Sequence, residues 1–308
     1  MSLPFGTPLL IANPAAGGGR NPALPRLRAA LEAQGVGHDV VMTAHAGHAT
    51  TLAREAVDAG RRYLVAVGGD GTVHEVVNGM VDAAAGTARR DDLVLGVVGA
   101  GSGCDLVRTF GLDRSPEVLA AHLASEHALP MDLGRLRLTG PDGRERVVVF
   151  ANVAEAGFGG AVVQVSARLP DRLGPARYAA GIVAAWGRFR RRPTTITVAG
   201  GTTTAPVCNV VIANGQFFGG GLHVAPRALP TDGRFNVQSW GGTVTDVVRA
   251  TRLLRTGSHL QRDDVREWQS ATVTVDAAEP LVVEADGEVL GVTPLTADVL
   301  HQVIALKI

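Results

Sequence analysis

The sequence predicts an α/β protein in two parts, a helix-covered parallel sheet over residues 1–132 and a mainly antiparallel β half over 133–308. Three observations lead there. Short apolar runs alternate with amphipathic ones up to about Leu133, each apolar run ends in a glycine-bearing or polar turn, and the periodicity changes near Asp132.

In the first part, PLLIA at Pro8–Ala12 is followed by Leu24, Leu27 and Leu31 at helical spacing. HDVVM precedes a helix near His48–Ala59, YLVAVG one near Thr72–Val81, and LVLGVVG a short one near Asp105. Near-continuous apolar strands separated by helices indicate a parallel sheet covered on both faces. After Met131 the segments RLRL, RVVVFANVA, TTITVAG, PVCNVVIANG, RFNVQSW, ATVTVDA, PLVVEADGEVL and HQVIALKI read as strands between turn residues. Two helices interrupt them, at about Arg177–Arg191 and Thr245–Arg255.

Lys+Arg 29 balance Asp+Glu 29, so no overall field favours nucleic acid. Cys104 and Cys208 lack metal-site spacing and are too few for a disulfide framework, which fits a cytoplasmic protein. The opening MSLPFGTPLL has no basic n-region, and no apolar run approaches the roughly 20 residues that span a bilayer. A lipid substrate would therefore be met at the membrane surface. The one lysine is Lys307, so neither a Walker-A lysine nor the strand lysine of protein kinases is present.

Three glycine-rich segments follow successive predicted strands, where open α/β sheets gather ligand sites. Asn13-Pro14-Ala15-Ala16-Gly17-Gly18-Gly19-Arg20 presents backbone N–H groups to an anion, or is a plain strand-to-helix turn. Gly68-Gly69-Asp70-Gly71-Thr72 leads into a helix start, a ready phosphate site at which Asp70 alone also reads as an N-cap. Gly99-Ala100-Gly101-Ser102-Gly103 places a hydroxyl after the last strand, and lacks the acidic partner of a dinucleotide fingerprint.

Together these segments resemble the diacylglycerol kinase catalytic family, which includes bacterial lipid kinases and sphingosine kinases and shares its N-terminal fold with NAD kinase and phosphofructokinase. GGDGTVHEVVNG, from Gly68 to Gly79, is the specific part, and NPAAGGG and Thr43 in TAHAGHA match the family's other blocks. The resemblance implies ATP and Mg²⁺ as cofactors and a nucleotide site of Asn13, Pro14, Gly17, Thr43, Gly68, Gly69, Asp70, Gly71, Thr72, Val73, His74 and Ser102. It implies a structural magnesium held by Asp232 and the carbonyls of Leu229 and Arg234, in a stretch that otherwise reads as a turn. Glu288 of Glu284-Ala285-Asp286-Gly287-Glu288 would be the general base toward an acceptor hydroxyl, with Asp70 the second catalytic carboxylate. Without the resemblance, Asp286-Gly287 reads as a solvated hairpin turn.

The activity implied is transfer of the γ-phosphate of ATP to a diacylglycerol-like lipid, in phospholipid metabolism, by a protein peripheral to the membrane; a homodimer stays open. Two alternatives remain: a same-fold kinase of a soluble alcohol, and a nucleotide-binding regulator without turnover. The family's GTxNDFAR loop reads GSGCDLVR here, and Asn236 stands where an acidic residue often follows the DG turn. Arg188–Arg192 at the end of a predicted apolar helix would rest on anionic headgroups, or would simply complement the helix dipole.

Overall fold

The computed structural model describes residues 4–19, 21–100, 104–112, 114–169, 176–186 and 189–308. The chain forms two compact units. The first takes Met1–Leu133, and also Gly219–Gly221 and Leu300–Ile308, which the sequence assigns to the second half.

The first unit runs β1 (Leu9–Ala12), an irregular turn α1 (Ala16–Gly19), α2 (Ala23–Ala33), β2 (Asp39–Met42), α3 (His48–Asp58), β3 (Tyr63–Gly68) and α4 (Asp70–Met80). A small ribbon of β4 (Val81–Asp82) and β5 (Thr87–Ala88) precedes β6 (Val94–Gly99), α5 (Asp105–Thr109) and α6 (Pro116–Ala124). The expected α/β alternation is present. Strands β6, β3, β1 and β2 lie side by side in that order and all parallel. All residues of β1 and β3 are buried, as their unbroken apolar sequences require of strands covered on both faces.

The end of the chain adds a fifth parallel strand, with Ala305 beside Val94 and Leu306 beside Leu95. Lys307 then buries its amine, donating to the Ser125 carbonyl and Oγ and lying 4.9 Å from the Phe5 ring centroid. The chain's single lysine thus fastens its last strand; burial lowers the amine to about 8.

β7 (Ala128–Thr139) leads into the second unit, Gly134–Phe218 with Leu222–Val299. There follow β8 (Glu145–Phe150), β9 (Val153–Gly157), α7 (Phe158–Ala167), α8 (Ala176–Trp186), β10 (Arg192–Val198), β11 (Gly201–Val207), β12 (Asn209–Ala213) and the short β13 (Phe217–Phe218) and β14 (Leu222–His223). β15 (Phe235–Trp240), α9 (Val244–Ala250), β16 (Val265–Ser270), β17 (Thr272–Ala277), β18 (Val282–Ala285) and β19 (Glu288–Lys307) complete it. The strand path β16-β15-β12-β9-β18-β19 is antiparallel throughout, and β17, β10 and β11 continue it from β19. Its core centres on Phe150 stacked against Phe235, ring centroids 5.6 Å apart.

Two differences from the sequence reading have clear causes. α7 is a third helix in the β half; its sequence FGGAVVQVSA has no amphipathic pattern because it packs on β18 and β9 and buries Phe158, Gly159, Gly160 and Val162. RVVVFANVA is two strands, broken at Ala151–Asn152, where successive N–H groups turn toward a carboxylate described below.

The fit of α4 on α3 depends on Gly79, where a Cβ would come within 2.5 Å of both Ala53 Cβ and the Thr50 carbonyl. Gly79→Ala should therefore destabilise by about 1–3 kcal/mol despite alanine's better helix propensity. Urea denaturation checks this; an unchanged or raised midpoint would mean that the helices separate freely.

Candidate active site

Strand register decides where the glycine turns lie. Ala12 is level with Val67, and Gly68 with Gly99, so the turns after β1, β3 and β6 leave the same edge of the sheet from adjacent strands. Backbone bonds tie them: Asn13 N–H donates to the Val67 carbonyl and Ala100 N–H to the Gly68 carbonyl. Buried Asn21 adds a side-chain clasp, its Nδ2 donating to the carbonyls of Asn13 and Val67. Asn21 was missed in the sequence because nothing local marks it.

In the first turn Gly17, Gly18 and Gly19 have φ of 62°, 84° and 91°, a run that bends the backbone back on itself and exposes it. Asn13 caps this turn, its Oδ1 accepting from Ala15 N–H, while Pro14 and Gly17 are exposed. In the second turn Gly68 is required by contact, since a Cβ there would be 2.2 Å from Thr72 Oγ1. Gly69 and Gly71 are partly exposed, and Thr72, Val73 and His74 are buried on α4. The surface of this turn is therefore the backbone of Gly69–Gly71, with the following side chains turned inward. Ser102, with Gly101 and Gly103, lies outside the described residues.

The Asp70 carboxylate accepts from Asp105 N–H at 2.8 Å and from Leu106 N–H at 3.4 Å. It caps α5, the helix that follows the third turn, which is where a negative charge is stabilised. Asp105, itself buried, accepts from Gly220 N–H at 2.7 Å and pairs with Arg108 at 3.2 Å. Burial raises the Asp105 carboxyl, and the Gly220 N–H and Arg108 oppose that rise. Cys104, in the amide position of the family loop, is buried, and burial pushes its thiol up, so it is a packing residue.

Thr43 is buried at the end of β2, its N–H bonded to the Ala12 carbonyl beside the first turn. The loop after it is held by Glu75, whose two carboxylate oxygens accept from Gly47 N–H and Ala49 N–H at 2.8 and 2.9 Å. Glu75 sits inside the GGDGTVHE block, and the sequence gives its type without its target.

In the second unit, Asp286 and Gly287 have φ of 51° and 86°, the paired left-handed residues of a tight hairpin between β18 and β19. The Asp286 carboxylate is buried and accepts from the N–H groups of Ala151, Asn152 and Val153. Glu288 is exposed at the start of β19, in register with Ala285. The hairpin is therefore not simply solvated: one acid anchors it and the other faces out.

The turn expected to hold a cation offers little. Asp232 and Leu229 are exposed; Asp232 Oδ1 accepts from Arg234 N–H at 3.0 Å, and the Leu229 carbonyl accepts from Thr231 and Asp232 N–H. No group of three or more His, Cys, Asp or Glu placed to hold a metal occurs among the described residues. The Asp232 carboxylate and the Leu229 carbonyl accept hydrogen bonds from the turn's own backbone, which closes the turn on itself. Asn236 is spent internally, donating to Glu267 Oε1 and accepting from Gln238.

The basic segment after α8 is also largely tied down. Arg191 and Arg192 donate to the carbonyls of Gly241 and Pro280, and Phe189 packs edge-on to Phe158; Arg188 lies outside the described residues. No helix among the described residues is long and apolar enough to cross a membrane.

Turns leaving one edge of a parallel sheet are where open α/β folds bind ligands, and the β unit that follows carries a hairpin anchored by buried Asp286. Residues 7–136 match the diacylglycerol kinase catalytic domain, and residues 152–308 the YegS C-terminal NAD kinase beta sandwich-like domain. The chain belongs to this family of diacylglycerol kinase and YegS-like lipid kinases. It is 29% identical over 285 residues to a Mycobacterium tuberculosis protein named diacylglycerol kinase, covering 91% of this chain and 87% of that one. A Pseudomonas aeruginosa protein named probable lipid kinase YegS-like is 31% identical, covering 88% and 86%. The crystal structure of a diacylglycerol kinase from Bacillus anthracis shares the fold, with a TM-score of 0.70 over 98% of this chain and 96% of that one at 19% identity.

Asp70→Ala removes the acceptor for the N–H groups at the start of α5 and should cost about 1–3 kcal/mol by urea denaturation. Asp70→Asn keeps one carbonyl oxygen and should recover about half of the loss. Equal stability of all three proteins would show that the carboxylate does not hold α5.

Proposed function

We propose that the chain transfers the γ-phosphate of ATP to the hydroxyl of a diacylglycerol-like lipid, giving a phosphatidic-acid-type product. The observation that carries this reading is the meeting of the Asn13–Gly19, Gly68–Thr72 and Ala100 turns at one edge of a parallel sheet. Phosphoryl transfer asks the protein mainly to position and neutralise, and a lysine-free cradle of backbone N–H groups is suited to that. Magnesium bound with the ATP would neutralise part of its phosphate charge.

The phosphate side would use Asn13, Gly17 and Gly68–Thr72, with Thr43 and His74 supporting from below and Ser102 from the third turn. Asp70 keeps that third turn in place through α5. Glu288, exposed, is the proposed general base for the acceptor hydroxyl, presented by a hairpin that Asp286 anchors.

A lipid acceptor is favoured over a soluble alcohol by the apolar lining of a pocket in the second unit, formed by Phe158, Val162, Ile182, Leu222, Trp240 and Leu254 among others.

Incubation with labelled ATP, Mg²⁺ and a panel of diacylglycerol, sphingoid bases, phosphatidylglycerol and soluble alcohols tests the reading. Diacylglycerol should acquire label, and Glu288→Ala or Asp70→Ala should lower kcat by at least about 100-fold in folded protein. Label on a soluble alcohol alone would replace the lipid reading, and ATP binding without turnover on any acceptor would favour a regulator. Near-normal turnover by Glu288→Ala would remove that residue from the chemistry.

Access to the lipid would run over α8, where Val183 is 70% and Trp186 37% exposed beside Arg190. Sedimentation with vesicles should be salt-sensitive and depend on anionic lipid. Indifference to both would count against this surface.

A further inference from the structure

Two buried carboxyl groups in the second unit stand opposite each other on adjacent strands. Glu155 on β9 and Glu284 on β18 are cross-strand partners, and each is 4% exposed. Their carboxyl groups act on each other directly, and two buried carboxylates side by side repel unless one is protonated.

Their other bonds form a line through the unit. Gly159 N–H at the start of α7 donates to Asn209 Oδ1 at 3.1 Å, and Asn209 Nδ2 donates to Glu155 Oε1 at 2.6 Å. Glu284 Oε2 accepts from Gly287 N–H at 3.0 Å, inside the turn that carries Glu288. Glu155, Asn209 and Gly159 also line the apolar pocket.

We infer that Glu155 and Glu284 share a proton across the β9–β18 pair and act together as positioning residues for the Asp286-Gly287-Glu288 turn. The inference rests on the reading of that turn as the acceptor side. Glu284 is the proton carrier and Glu155 the acceptor, because the Asn209 amide already donates to Glu155. Losing the proton would set two negative charges side by side in a dry site and push β18 from β9, moving the turn.

Few other groups act on the pair. Helix α7, packed on both strands, has no ionisable side chain, and β12 brings Asn209 and no charge. On β19 the residue opposite Glu284 is Val289, and Asp286 raises Glu284 further by repulsion. Among the described residues no cation offsets them: burial pushes Glu155 up to about 7 and Glu284 well above the ordinary carboxylate range.

The sign of the linkage follows. Both groups hold protons more tightly when folded, so the stability they contribute is fully present below about pH 4.5 and is lost as pH rises through 7. Glu284→Gln supplies an N–H in place of the shared proton and keeps a carbonyl for Gly287, so it mimics the protonated form at every pH.

The test is urea denaturation of the wild type, Glu284→Gln and Glu284→Ala from pH 5 to 8, with kcat and KM measured in parallel. From pH 5 to 7 the folding constant of the wild type should fall relative to that of Glu284→Gln by about tenfold per pH unit. Glu284→Ala should lower kcat with the KM for ATP unchanged, and Glu284→Gln should restore kcat and flatten its alkaline limb. Parallel stability curves for wild type and Glu284→Gln would overturn the shared proton. Wild-type kcat in Glu284→Ala would overturn the positioning role if Glu288→Ala is inactive. The same result with Glu288→Ala active would instead remove the turn from the chemistry, and the positioning role with it.

Discussion

The first unit depends on where its buried negative charge is spent. Asp70 leaves the glycine turn after β3 and caps α5, and Asp105 at the start of α5 in turn holds Gly220 N–H. Helix N-termini attract anions, and here the start of α5 already has one. That leaves the backbone of Gly17–Gly19, Gly69 and Gly71, which carry no side chains, for the triphosphate of the proposed reaction. The same bonds tie the second turn to the start of α5 and α5 to Gly220.

The second unit repeats the device with different groups. Three N–H groups at the break between β8 and β9 converge on Asp286, and Glu155 and Glu284 on the neighbouring strands are the pair proposed to share a proton. A hairpin turn on which chemistry depends has to resist movement, and a buried carboxylate with three donors does that better than surface contacts. Glu288, exposed, stands two residues beyond that anchored carboxylate.

Much of this was legible in the residues. The β-then-α alternation, the parallel sheet and the Asp286-Gly287 hairpin follow from local apolar runs and from a dipeptide that tolerates left-handed backbone. What was not legible depends on partners distant in sequence. Asp70 reads as an N-cap of its own helix and in fact caps α5, 35 residues later. Glu75, Asn21, Asp132 and Glu155 look like ordinary polar residues until the fold shows what they touch; Asp132, for instance, accepts from Gln302 N–H near the chain's end. Helix α7 was missed because a helix packed against a sheet on its apolar side chains and glycines carries no stripe to recognise. The Thr231–Gly233 stretch is closed by its own backbone bonds, as its residues suggest.

The most direct measurement of the central claim is amide hydrogen exchange with and without ATP and Mg²⁺. The account predicts new protection concentrated in Asn13–Gly19 and Gly68–Thr72, with Asp105 and Leu106 already protected before nucleotide is added. Protection appearing elsewhere, or first at Asp105 and Leu106, would contradict it.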